Sequence, residues 1–172
     1  MLKTIAFAAA LCLCVSLPGS AQSRPSLDVA LKVRTVPGSS QLHWTITNGS
    51  PSAVYVYSYY LYGPAYSLTK GAAMTTLDTT PTALEGSCPY LFPPVLLLRV
   101  PAGDSREGDF RDSQLENLHG KSVNLSIAVG LNPYAVVLRA SQLRKAKNCN
   151  KSPYNAIVEW SSTVKSNSVQ IP

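Results

Sequence analysis

The chain has 172 residues, of which 45% are hydrophobic and 14% charged, with fifteen Lys or Arg against nine Asp or Glu. That balance supports a buried core and excludes a disordered chain. The formal charge of +6 is modest, it acts mainly on solubility, and without a basic–aromatic motif nucleic acid is not an expected partner.

Residues 1–21 have the pattern of a secretory signal peptide. Lys3 precedes an apolar run from Ile5 to Leu17, and Pro18-Gly19-Ser20-Ala21 offers small residues for cleavage after Ala21. The run is shorter than the roughly 20 residues of a membrane span, so no stable membrane insertion is expected after cleavage. A lipoprotein at Cys12 or Cys14 is discounted, because Leu precedes each where a small residue is wanted. The expected product is one secreted or periplasmic domain, 22–172, long enough for a real core. No repeat recurs at a fixed period.

Leu27 to Arg34 sets Leu27, Val29, Leu31 and Val33 at odd numbers and its charges, Asp28, Lys32 and Arg34, at even ones, which is the period of a half-buried strand. Pro37-Gly38-Ser39-Ser40 turns the chain, and Leu42, Trp44 and Ile46 alternate with His43, Thr45 and Thr47 in a second strand. Asn48-Gly49-Ser50-Pro51 turns it again. Val54 to Tyr62 is expected as a third strand, with Tyr55, Tyr57 and Tyr59 on one face and Tyr60 and Tyr62 on the other. Tyr66 to Thr82 is expected mainly as a polar crossover with room for one short edge strand. Cys88 to Pro94 is too proline-rich for regular structure.

Val95 to Val100 reads as a strand buried on both faces. Phe110 is placed in a short strand, and Asp112 to Gly120 in one or two helical turns capped by Asp112 or Ser113. Val123, Leu125, Ile127 and Val129 mark another strand. Asn132-Pro133 starts a helix running to about Lys147, with Val136, Ala140 and Leu143 on one face. Val136 and Val137 favour a competing strand over Tyr134 to Arg139. Ala156 to Trp160 is expected to be a strand continuing towards Val164, and Val169 to Ile171 a last short one.

The expected fold class is all-β: a single immunoglobulin-like sandwich of seven or eight strands, with one or two short helices in connections. The segments "TNGSPSAV", "VPAGDSREGDF", "LENLHGKSVNLSIAV" and "VEWSSTVKSNSVQI" carry a resemblance to immunoglobulin-like or fibronectin-III-like domains of small exported bacterial proteins. Pro101, Gly103, Gly120, Trp160 and Ser166-Asn167 occupy the corresponding positions. The chain departs from that pattern in its long connection from Leu131 to Pro153. The resemblance implies a fold and an exported location, and no chemistry.

Cys88 and Cys149 are the cysteines left after cleavage, and in an oxidising compartment they are expected to pair. Closing so long a loop stabilises by roughly 4 kcal/mol in the chain-entropy model. Catalytic machinery is not expected: His43 and His119 stand on separate elements, and no nucleophile motif or phosphate loop is present. A histidine in a cleft beside a Ser or a carboxylate would reopen that question. No metal or cofactor is expected. The acidic run Asp104, Glu107, Asp109 and Asp112 lacks calcium-loop spacing.

Two features point to binding. Tyr55, Tyr57 and Tyr59 would form an amphipathic ladder for a protein or glycan partner, against the alternative that they fill the core. Arg139, Arg144, Lys145, Lys147 and Lys151 would form a basic patch for an acidic partner or an anionic envelope polymer, against the alternative of a solvated basic face. Asn48, Asn124 and Asn150 head glycosylation acceptor triplets, relevant in a eukaryotic host. The expected function is a non-catalytic binding or structural module acting on a protein. A carbohydrate-binding module with exposed, coplanar tyrosines is the alternative, and a protease inhibitor presenting Cys88 to Pro94 the third.

Overall fold

The computed structural model describes residues 27–39, 41–62, 67–80, 95–145 and 153–172. The expected signal peptide, Cys88 and Cys149 with their expected bridge, the Cys88–Pro94 segment, Lys147, Asn150 and Lys151 lie outside them.

Among the described residues, ten strands form two sheets. The smaller sheet orders β1 (Val29–Thr35), β2 (Leu42–Asn48) and β7 (Ser105–Phe110) side by side, all antiparallel. The larger contains β3 (Val54–Tyr57), β4 (Ser67–Lys70), β5 (Thr75–Asp78), β6 (Leu97–Val100), β8 (Ser122–Gly130), β9 (Ser162–Lys165) and β10 (Val169–Gln170). β8 is its axis. Val123 pairs with Thr75 and Val169, Ser126 with Asp78 and Lys165, and Val129 with Val56 and Ser162. One edge of β8 is therefore shared end to end by β5 and β3, and the other by β10 and β9.

The alternation expected of the first two strands is what builds the core. Leu31, Val33, Leu42, Trp44 and Ile46 point inward and meet Val54, Val56, Leu77, Val100, Val123, Leu125, Ile127 and Val129 from the other sheet. Phe110, Leu115 and Leu118 complete this cluster. Asp112 caps the 3-10 turn Ser113–Leu118 by accepting the Gln114 N–H at 2.8 Å, and Gly120 leaves it at φ +72°, a conformation that glycine adopts without a Cβ penalty.

A second cluster lies on the opposite face of the larger sheet. Tyr57 and Ala128 there pack with Val136 and Ala140 of helix α1 (Pro133–Lys145) and Tyr154, Ala156 and Ile157 of helix α2 (Pro153–Trp160). Helix α1 starts where Asn132-Pro133 indicates, and Val136 and Ala140 share its buried face as expected. The chain is thus mostly β, with a helical hairpin covering one sheet.

Among the described residues stand ten strands and three helices, where seven or eight strands and one or two short helices are expected, and four local expectations also need correction. Ala156–Trp160 is helical, because a helix can lay Tyr154 and Ile157 on α1 and the sheet together. The third strand stops at Tyr57, since Ser58 to Tyr62 turns away. The Thr-rich crossover holds two strands: β4 and β5 form a hairpin, and β5 runs parallel to β8. The strand after Pro94 is shorter and lies at the sheet's end, with Leu96 and Arg99 exposed. Leu97 nonetheless packs towards the helices and Leu98 towards the main core.

Gly130 allows the helices to close on β8. A Cβ there would overlap the Trp160 indole, whose N–H is held by the Leu131 carbonyl. Gly130→Ala is expected to cost about 1–3 kcal/mol by overpacking, read as a lower urea midpoint with loss of amide protection in α2.

Candidate functional site

The tyrosine run does not form a recognition ladder. Tyr57 is completely buried and Tyr55 half-buried, so Tyr55, Tyr57 and Tyr59 share no open face. Tyr59 and Tyr62 are exposed beyond the strand. Tyr59 meets Tyr60 at an interplanar angle of 84°, Tyr57 meets Tyr60 at 66°, and Tyr62 meets Trp44 at 68°. These are edge-to-face packings, not the coplanar platform expected for sugar binding. The Tyr60 and Tyr154 hydroxyls lie 3.0 Å apart, tying the turn to α2.

Of the basic segment, Arg139, Arg144 and Lys145 fall within α1, where Arg139 is exposed, and Lys147 and Lys151 lie outside the described residues. Between Glu116 and Glu159 the sequence carries six Lys or Arg and no carboxylate. Sequence reasoning missed the apolar half of this surface. Tyr134, Val137 and Leu138 are 83%, 48% and 63% exposed. They stand at i, i+3 and i+4, so they form one stripe, turned away from the Val136–Ala140 face. The signal was there in Tyr134-Ala135-Val136-Val137-Leu138, which has more apolar residues than one buried helix face needs.

The acidic run is dispersed rather than convergent. Asp112 caps the 3-10 turn. Glu107 and Asp109 project from β7 towards His43, with Asp109 Oδ1 3.0 Å from Nδ1 and Glu107 Oε2 3.4 Å from Nε2. Asp104 accepts the Ser105 N–H at 2.8 Å and pairs with Arg106 at 2.7 Å. The Ser105 N–H first, and then Arg106, hold the Asp104 carboxyl below its ordinary value of 3.8. A depressed carboxylate contributes stability above its unfolded value, and that contribution is lost as pH falls through the folded one. Arg106→Gln is therefore expected to move the Asp104 titration up towards 3.8 without abolishing the shift, as followed by NMR of its side-chain carboxyl carbon.

His43 does sit in a cleft beside carboxylates. Both its ring nitrogens face them, so neither is left for a hydroxyl nucleophile. His119 lies at the chain's end, with Nδ1 on the Pro172 carbonyl oxygen. Among the described residues no three His, Cys, Asp or Glu group into a metal site, and no helix is long and apolar enough to cross a membrane. Asn48 and Asn124 are buried, so neither acceptor triplet can carry a sugar in the folded chain. The chain matches no family model, no curated protein and no solved structure.

Proposed function

We propose that this protein is an exported, non-catalytic binding module with an immunoglobulin-like sandwich, and that it acts on another protein in the periplasm or outside the cell. The strand connectivity supports the architecture. β1, β2 and β7 stand in the order of the A, B and E strands, and β6, β3, β8 and β9 in the order of C′, C, F and G, the Greek-key arrangement of that sandwich. The β4–β5 hairpin and the helices between β8 and β9 are additions to it.

The observation that carries the binding reading is the exposed stripe Tyr134, Val137 and Leu138. Apolar anchors at i, i+3 and i+4 are how a helix enters a partner's groove. The acid-free, cation-rich stretch around it selects the partner's charge: an apolar surface with an acidic rim. Charge complementarity of this kind sets encounter rate and specificity.

Leu138→Asp is expected to change folding stability by no more than about 0.5 kcal/mol, because the side chain is exposed, while abolishing the interaction. A photo-crosslinking residue at position 138, introduced in cells that export the protein, should give one discrete protein adduct. Tyr134→Glu should remove that adduct. Crosslinking to lipid alone, or an adduct indifferent to Tyr134→Glu, would overturn the proposal.

A further inference from the structure

The free edge of β6 is a second, independent interaction surface. β6 ends the larger sheet, with β3 on one side and, among the described residues, no strand on the other. The ladder fixes which backbone groups face outward. Its register runs from Val54↔Val100 to Tyr57↔Leu97, and one step further the Ser58 N–H donates to the Leu96 carbonyl at 2.9 Å. In an antiparallel pair, residues that exchange bonds alternate with residues that do not. Leu96, Leu98 and Val100 therefore turn their backbone groups to β3, and Val95, Leu97 and Arg99 turn theirs to the open edge. None of these outward groups has a hydrogen-bond partner among the described residues.

Other edges carry the devices that stop a further strand from adding. On β1 the Asn167 side chain accepts the Val33 N–H at 2.8 Å and donates to the Val33 carbonyl at 2.9 Å, so it occupies the place of a neighbouring strand. β7 carries Arg106, Glu107 and Asp109. β4 ends at Lys70 and β9 at Lys165. The β6 edge is apolar from Val95 to Leu98, and Arg99 is its single charge. Leu96 is 48% exposed on it. An apolar, unpaired edge of this kind is a template for self-association.

We propose that β6 pairs with β6 of a second copy of this chain, antiparallel about a two-fold axis at Leu97. A two-fold contact sets the same patch against itself, and opposed residues lie on the same face of the joined sheet. An axis at Leu97 opposes Leu97 to itself and Val95 to Arg99, so every outward backbone group of residues 95–99 meets one of the other copy. Moving the axis to Leu98 sets Val95 against Pro101, which has no N–H. Moving it to Leu96 leaves Arg99 without a partner in this stretch. The side chains agree with the Leu97 register. Leu96 then meets Leu98 of the second copy in a closely spaced, non-bonded pair, which covers the exposed Leu96 and the half-buried Leu98. At about 3.4 Å per residue the two Arg99 stand ~14 Å apart along the strands, beyond a Debye length at physiological salt. Contact along residues 95–99 of each copy is short, so the dimer is weak and concentration-dependent. It uses none of Tyr134, Val137 and Leu138, and stands or falls separately from the proposed function.

The test is sedimentation equilibrium of the purified protein from micromolar to millimolar concentration, joined to NMR of a mixture of ¹³C-labelled and unlabelled chains. A monomer–dimer equilibrium is expected, with the Leu96 and Leu98 α-protons in contact between chains. Amide exchange should slow with concentration at Val95, Leu97 and Arg99, and not at Leu98, whose N–H already serves β3. Leu96→Lys sets a charge against Leu98 of the second copy and should weaken the dimer at least tenfold. Arg99→Pro deletes an outward N–H while leaving the bonds to β3, and should weaken it as much. Arg99→Ala keeps that N–H and should change the dimer less than threefold. Leu138→Asp should leave it unchanged. A monomer at every concentration, a dimer indifferent to Leu96→Lys, or a dimer abolished by Leu138→Asp would overturn the proposal.

Discussion

Asn48→Ala is expected to lower folding stability by about 3–5 kcal/mol, the largest effect of any polar substitution among the described residues. Asn48 ends β2 and is completely buried. Its two side-chain N–H groups are shared among the carbonyls of Ser52, Val100 and Pro101, at 2.9, 3.0 and 3.0 Å from the nitrogen, and its oxygen accepts the Ser50 N–H at 2.9 Å. One amide thus joins the end of the smaller sheet to the β6–β7 connection leaving the larger one. The backbone of the same residue exchanges bonds with Asp104 and Gly103. Alanine would take this partner from two buried groups, the Val100 carbonyl and the Ser50 N–H, at about 1–3 kcal/mol each; the Pro101 carbonyl keeps the Asp104 N–H, and Ser52 is exposed. Asn48→Asp should be no better, since it sets a carboxylate against three carbonyl oxygens. Urea unfolding at unchanged m-value measures this. A loss under 1 kcal/mol for Asn48→Ala would mean that the two sheets are not held at this point.

Trp44→Ala should cost about 3–5 kcal/mol. Trp44 is the largest fully buried side chain, at the middle of β2 between the two sheets. Gly108, its partner on β7, has room for no side chain, because a Cβ there would stand 2.6 Å from the indole Cζ2. Tyr62 closes the other side, with ring centroids 5.6 Å apart. Truncation would leave a cavity that such a fixed strand pair cannot collapse to fill. Trp44→Phe keeps most of the apolar volume. Its smaller loss should also reflect that the indole N–H has no hydrogen-bond partner among the described residues, so removing it forfeits no bond there. Calorimetric unfolding of the two variants separates these outcomes: near-equal losses would show that the site relaxes.

Strands β1 and β2 could be read from the residues through their one wet face, and β8, buried on both faces from Val123 onward, through the alternation of Val123, Leu125, Ile127 and Val129 with Asn124, Ser126 and Ala128. β1 and β2 alternate because His43, Thr45 and Lys32 face outward while Trp44, Ile46 and Leu31 face the core. The 3-10 turn was readable from Asp112 and Gly120, and α1 from Asn132-Pro133, because these are local hydrogen-bonding and dihedral constraints. Ala156 to Trp160 misled because Ile157-Val158 and Trp160 suit a strand on propensity alone. Ser152-Pro153 is a helix-start signal that the strand reading leaves out of account. Of the candidate site residues, the basic ones were visible as a run of charge.

The sequence by itself determined a β-rich chain with a core made of alternating side chains, the first hairpin, the capped 3-10 turn, the start of α1 and the acid-free stretch that follows. Only the tertiary structure decided that Tyr57 and Ala128 lie beneath helices, that β5 runs parallel to β8, and that Asn48 locks the two sheets. It alone exposed Tyr134, Val137 and Leu138 as a stripe. The division has one physical cause. Alternation and capping record what a residue's immediate neighbours and one buried face require. Whether the second face of a strand or helix is covered depends on segments distant in the chain, which leave no mark on the local pattern.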